Sequence, residues 1–235
     1  MKKIIFLSIL LAFSNAFANP IDDKCPQFIP YGAPAINLKT SVYLCKTNYA
    51  INYDTTTKTA VYVVEHVTKA AITGPAKRKD DFRPDPAIPV AGQSQLSDYA
   101  GFPYDRGHLV PAGDNTQNDL IMSESFFLSN MVPQVPNNNR GIWKQLETWE
   151  RQWAMQPGTD FYIISGGIYG PTHKKIGNGL GVPDYIYKII IEKNSKVVKA
   201  YLMPNAPLPV ADLPKYETNI TTIEQYTGMK FNLGK

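Results

Sequence analysis

The chain has 235 residues, with 24 Lys plus Arg against 20 Asp plus Glu and a formal net charge of +4. A surplus that small does not name nucleic acid as a partner; an electrostatic footprint needs a larger charge or local clustering. Three scattered histidines and two cysteines argue against a zinc site.

At the N-terminus, Lys2 and Lys3 precede a short apolar run from Ile4 to Phe13, and Ala16-Phe17-Ala18 supplies the small-x-small pattern of signal-peptidase sites. The expectation is a secretory signal over 1–18, cleaved after Ala18, and a single domain over 19–235 with a net charge near +2 once Lys2 and Lys3 are gone. No later stretch approaches about 18 uninterrupted apolar residues, so no membrane insertion is expected. The compartment implied is the bacterial periplasm or the medium. There a Cys25–Cys45 disulfide would persist.

Strands are predicted over 59–69, 160–170, 184–193 and 196–204 from β-branched and aromatic runs, with a hairpin turn at Asn194-Ser195. A long helix is predicted over 139–156, with Asn139 as N-cap and Ile142, Leu146, Trp149 and Trp153 at helical spacing. Shorter helices are predicted within 119–127 and 221–226, and 202–214 is a proline-rich surface loop. The class is α+β.

Three polar motifs stand apart from this packing pattern. They are Asp105-Arg106-Gly107-His108, then Ser129 to Gln134 (SNMVPQ), then Asn139-x-Gly141-x-Trp143-x-x-x-Glu147-x-x-x-Arg151. Upstream, 78–85 (RKDDFRPD) adds an arginine-containing segment, with weaker matches at Gly166-Gly167 and Val182-Pro183. In order and spacing they resemble the DNA/RNA non-specific endonucleases, the sugar-non-specific, Serratia nuclease-like branch of the ββα-metal nucleases.

The resemblance implies a ββα-metal core on a central, mostly antiparallel sheet flanked by helices. It implies a Mg²⁺-dependent endonuclease, with Mn²⁺ as a substitute ion, that cuts DNA and RNA and leaves 5′-phosphate ends. His108 maps to the general base, a role that suits an imidazole. Arg106 maps to a phosphate clamp, and Gly107 is read as permitting a tight turn and close approach to substrate. Asn139 maps to the metal ligand; the spacing to Gly141, Trp143 and Glu147 selects it from the run 137–139. Glu147 would orient the ion's hydration shell. Asn130 would support the site near the histidine, and Asp105 would brace its loop. Arg78 is the substrate-binding choice over nearby Arg83, and Arg151 would either pair with Glu147 or reach phosphate. His66 and His173 are read as structural.

Two other readings stay open at this point: a catalytically silent nucleic-acid-binding module on the same fold, and a phosphodiesterase for small or lipid substrates. Intact His108, Asn139 and Glu147 argue against the silent module. The residues leave open whether the chain forms a homodimer or meets an inhibitor protein.

Overall fold

The computed structural model describes residues 24–36, 38–193, 198–231 and 233. The expected leader and the Asn194-Ser195 turn lie outside the described residues. Seven strands form one antiparallel sheet: β1 (Ser41–Cys45), β2 (Tyr49–Asp54) and β3 (Thr59–Val67) at one side, then β6 (Phe161–Ile168), β9 (Tyr185–Glu192), β10 (Val198–Pro204) and β11 (Glu217–Thr218). The four predicted strands are all present: the first ends two residues early, the second and third are a residue or two shorter at both ends, and the fourth is described from Val198 to its predicted end at Pro204. β1 and β2 escaped prediction; for β2 the reason is that all six of its residues are buried, Asn52 and Asp54 among them. A strand covered on both faces has no period-2 signature.

Alternation along the strands divides the core. Ile51, Val63, Ile163 and Ile190 face the long helix, while Ala50, Val64, Ile164 and Ile189 face Phe28 of the N-terminal segment and Ile223, Met229 and Phe231 of the C-terminal one. Along the chain, between the paired strands β3 and β6, come short helices α1 (Lys69–Ile72) and α2 (Asp119–Glu124) and a two-stranded ribbon, β4 (Asp105–His108) with β5 (Met131–Gln134). The minor pair β7 (Lys175–Ile176) and β8 (Leu180–Gly181) lies apart from both.

The long helix departs from expectation at its start. Asn138–Trp143 is a π-helical turn, and α3 proper runs Lys144–Ala154. Asn139 therefore sits inside the turn instead of capping it. The cause is tertiary: Asn138 donates to the carbonyls of Pro204 and Ala206 (3.0 and 3.1 Å) and accepts from Gln134 Nε2 (2.8 Å), which pulls the chain wide. The buried stripe is also corrected. Trp143, Leu146, Glu150 and Ala154 face the sheet, whereas Trp149 is 41% exposed. The predicted loop at 202–214 starts inside β10 and ends in a 3₁₀ segment, Val210–Tyr216. The last helix, α4 (Ile220–Thr227), is capped by Asn219 and closed by Gly228 at φ 69°.

The Cys25–Cys45 disulfide joins the N-terminal segment to the end of β1, with Cα atoms 5.6 Å apart. It closes a loop of 20 residues. Replacing both cysteines by serine should lower unfolding free energy by about 3 kcal/mol, read as an earlier midpoint in urea. An unchanged midpoint would show that the N-terminal segment holds without the link.

Candidate active site

Gly107 is where the ribbon is decided. It lies buried in β4, opposite Val132, and a Cβ there would stand 2.1 Å from Gln134 Oε1. The space of its absent side chain is filled by Gln134. This corrects the expectation for the glycine: its φ is not positive, and it serves cross-strand packing instead of a tight turn. The pairing places Arg106 and His108 in register with Pro133 and Met131.

From this ribbon and the start of α3 a cleft of about 690 Å³ opens, lined by Arg78, Arg106, His108, Asn139, Glu147 and Arg151. Six of the seven expected site residues thus converge. The seventh, Asn130, is fully buried behind the cleft. It accepts from Val110 N and donates to the carbonyls of Val110 and Ser125, all at 2.9 Å. It shapes the chain two residues beyond His108 and positions it, without facing substrate.

His108 rests on two rings that sequence reasoning passed over. Its imidazole meets Phe126 edge-on at 5.1 Å and Phe82 at 5.6 Å. The same two rings carry the arginines: Arg106 stands 4.3 Å from the Phe82 centroid and Arg78 5.0 Å from that of Phe126. Phe82 lies within the 78–85 motif. The signal was present there but masked by the charges around it. Burial, then Arg78 and Arg106, lowers the His108 pKa to about 3. The ring is neutral at physiological pH, and its Nε2 is buried with no hydrogen-bond partner. From the far side, Trp143 Nε1 donates to the His108 carbonyl at 3.2 Å and ties the helix to the ribbon.

Asn139 is oriented by Asp105. Its Nδ2 donates to Asp105 Oδ2 at 2.9 Å, and since a carboxylate only accepts, the amide oxygen of this cleft-lining residue is left free of that bond. Arg140 grips the same carboxylate through two bonds, 2.8 and 2.6 Å. Burial raises the Asp105 pKa, but the bonds from Arg140 and Asn139 outweigh it and hold the group below its usual value. Glu147 makes no hydrogen bond or ion pair among the described residues, and burial pushes its pKa to about 7 against the pull of Lys188 and Arg151. Arg151 pairs with the buried Asp114 at 3.0 Å and not with Glu147.

Arg83 stands outside the cleft. It donates to the carbonyls of Asp81 and Ser123 (2.9 and 3.0 Å) and lies 4.1 Å from the Phe127 ring. Arg78 is the arginine that reaches the cleft. His66 pairs with Asp160 and stacks on Tyr162, and His173 bonds the Gly170 carbonyl, both remote from this lining.

Lys77, Arg140 and Lys144 complete the wall. Together with Arg78, Arg106 and Arg151 they set six cations against one lining carboxylate, Glu147. The clustering that net charge could not reveal is therefore local.

The chain that builds this ribbon, helix and cationic cleft belongs to the DNA/RNA non-specific endonuclease family, whose model it matches over 31–235. It is similar to the mitochondrial nuclease EXOG of Danio rerio (32% identical; 86% of this chain, 63% of that protein) and to a nuclease of Nostoc sp. (33%; 86% and 77%). It spans between 56% and 63% of the four EXOG nucleases it matches. The solved structure of the EndoG/EndoGI complex contains a chain that superposes with a TM-score of 0.80 at 26% identity, covering 88% of this chain and 90% of that one.

Gly107→Ala should destabilise the protein by about 1–3 kcal/mol, because Gln134 and the ribbon must move apart. Chemical denaturation measures this. A neutral result would mean that Gln134 swings away without cost.

Proposed function

We propose that the protein is an exported, metal-dependent endonuclease that hydrolyses phosphodiester bonds in DNA and RNA without sequence preference. The observation that carries this reading is the cleft itself: a neutral histidine, an amide oxygen free of the bond to Asp105 and an unpartnered carboxylate within a wall of six cations. Contacts of that kind address phosphate and carry no base information.

The donors fit a hard cation. Among the described residues no group of three or more His, Cys, Asp or Glu could hold a metal. The Asn139 Oδ1 and the Glu147 carboxylate suit an ion that keeps most of its water, as Mg²⁺ does. Asn139 would hold the ion directly, with Asp105 and Arg140 fixing the amide, and Glu147 would accept from its hydrating waters. When bound, the cation neutralises charge on the phosphoryl group and on the departing 3′-oxygen.

The chain's own residues supply the rest. Arg78 and Arg106 bind phosphate oxygens and keep the scissile group over His108. Nε2 of His108 is sealed, so Nδ1 is the nitrogen open to a water in the cleft. As the water's oxygen bonds to phosphorus, its proton passes to Nδ1 and the P–O3′ bond breaks; the departing 3′-oxygen takes a proton from solvent and Nδ1 returns its own to solvent, leaving a 5′-phosphate and a 3′-hydroxyl. Lys144 and Lys77 extend the wall along the strand's backbone.

The Lys2 to Ala18 pattern and the Cys25–Cys45 disulfide support export. Several relatives carry mitochondrial names, which speak for those proteins.

Plasmid and RNA digestion by the protein from Asn19 onward tests the function, with Mg²⁺, with EDTA, and as His108→Ala. Cleavage that needs the ion and falls at least about 100-fold in His108→Ala is expected. Intact substrates across several divalent ions would end the nuclease reading, and a fully active His108→Ala would end the assignment of the base.

The acid limb of the pH profile should belong to Glu147. Its raised pKa means that it takes up a proton as pH falls through about 7, whereas His108 stays neutral down to about 3. kcat/KM should therefore drop below about pH 7, and the residual rate of Glu147→Gln should lack that limb. A limb that persists unchanged in Glu147→Gln assigns it to another group.

A further inference from the structure

Beneath the cleft, charge is buried where the sheet-facing side of α3 is otherwise apolar. Trp143, Leu146 and Ala154 face the sheet, and between them stands Glu150, 1% exposed, with Oε2 at 2.6 Å from Lys188 Nζ. Lys188 is wholly buried on β9 and lies 5.2 Å from the centroid of the Trp143 ring. Glu65 and Asp114 are also fully buried nearby. Stability does not call for the pair. An ion pair loses its hydration on burial, and exchanging one for apolar side chains of similar volume is often neutral or stabilising. Its position asks for a different explanation, because Glu147 and Arg151 flank Glu150 on the same helix and both reach the cleft.

We propose that Lys188 is a positioning residue for the cleft: through Glu150 it holds α3 in the register that turns Glu147 and Arg151 outward, and its ammonium supplies positive charge facing Glu147. The inference rests on the metal-dependent nuclease reading. The buried Lys188–Glu150 pair beneath the cleft carries it, and the electrostatics point the same way. Lys188 and Arg151 are the cations that act on Glu147, Glu150 and Asp114 together. Against the desolvation that drives the Glu147 carboxyl upward, Lys188 is the largest opposing influence, ahead of Arg151. Glu65, whose two oxygens have no hydrogen-bond partner, is pushed well above its usual pKa by burial and then by Asp114, with Lys188 the cation that opposes the shift.

The test compares wild type, Lys188→Arg, Lys188→Gln, and Lys188→Met combined with Glu150→Leu. Readouts are Tm in EDTA, Mn²⁺ affinity from the paramagnetic resonance of free Mn²⁺, and kcat and KM on plasmid DNA in Mg²⁺. The Met/Leu double variant should melt within about 3 °C of wild type or above it. It should nonetheless bind Mn²⁺ about tenfold more weakly and lose about tenfold in kcat with little change in KM. Lys188→Gln should show the same losses in Mn²⁺ affinity and kcat but melt lower, since it leaves Glu150 buried without its cation, while Lys188→Arg, which keeps the charge, should stay within about threefold of wild type. Wild-type Mn²⁺ affinity and kcat in the double variant overturn the proposal. If that variant does not fold, the same result in Lys188→Gln overturns it, as does an equal loss in Lys188→Arg and Lys188→Gln. A wild type that binds Mn²⁺ but cuts no substrate ends the nuclease reading, and the affinity series still judges Lys188.

Discussion

The anchoring of Asn138 is the constraint on which the site depends. Its side chain is committed to the carbonyls of Pro204 and Ala206, both remote in sequence, and to Gln134 four residues earlier at the end of β5. With that residue pinned, the backbone widens into a π-helical turn, and Asn139 swings over Asp105. Gln134 takes part twice, since it also occupies the space left by Gly107. One contact network therefore sets the amide, the ribbon and the entry of the helix together. Trp143 closes the arrangement through its bond to the His108 carbonyl.

Electrostatics in this cleft works by withdrawing groups from water. His108 is kept neutral by aromatic burial and two nearby arginines, and Glu147 is held near the edge of ionisation by burial against two cations. These are opposite shifts from one cause, desolvation of the charged form. They leave the cleft with a neutral acceptor and a responsive carboxylate inside a strongly positive wall. A polyanion entering it would meet cations at every side while the residues expected to do chemistry stay uncharged or poised.

Much of the site was legible in the sequence because catalytic motifs are dense local patterns. The Asp105 to His108 tetrad and the spacing from Asn139 to Arg151 survive as strings whatever the sheet around them does. Other parts had no such local trace. Phe82 and Phe126 look like ordinary core aromatics until Arg78, Arg106 and His108 are seen resting on them. Arg78 was preferred to Arg83 within one motif, and the bonds from Arg83 to Asp81 and Ser123 are what hold Arg83 away from the cleft. Trp149 fits the helical stripe by spacing, yet Glu150 takes the inward place because Lys188 waits on the sheet.

By itself the sequence determined the antiparallel strands rich in β-branched residues, the amphipathic helix and the polar motifs that name the chemistry. Those depend on neighbours a few residues away, where periodicity and backbone preference operate. Only the tertiary structure decided the edge strand β1 and its neighbour β2, the π-helical turn, the role of Gly107 and the clustering of six cations around one cleft. Each of these turns on contacts between residues distant along the chain, in which close packing and the cost of burying charge act at once and leave no periodic mark.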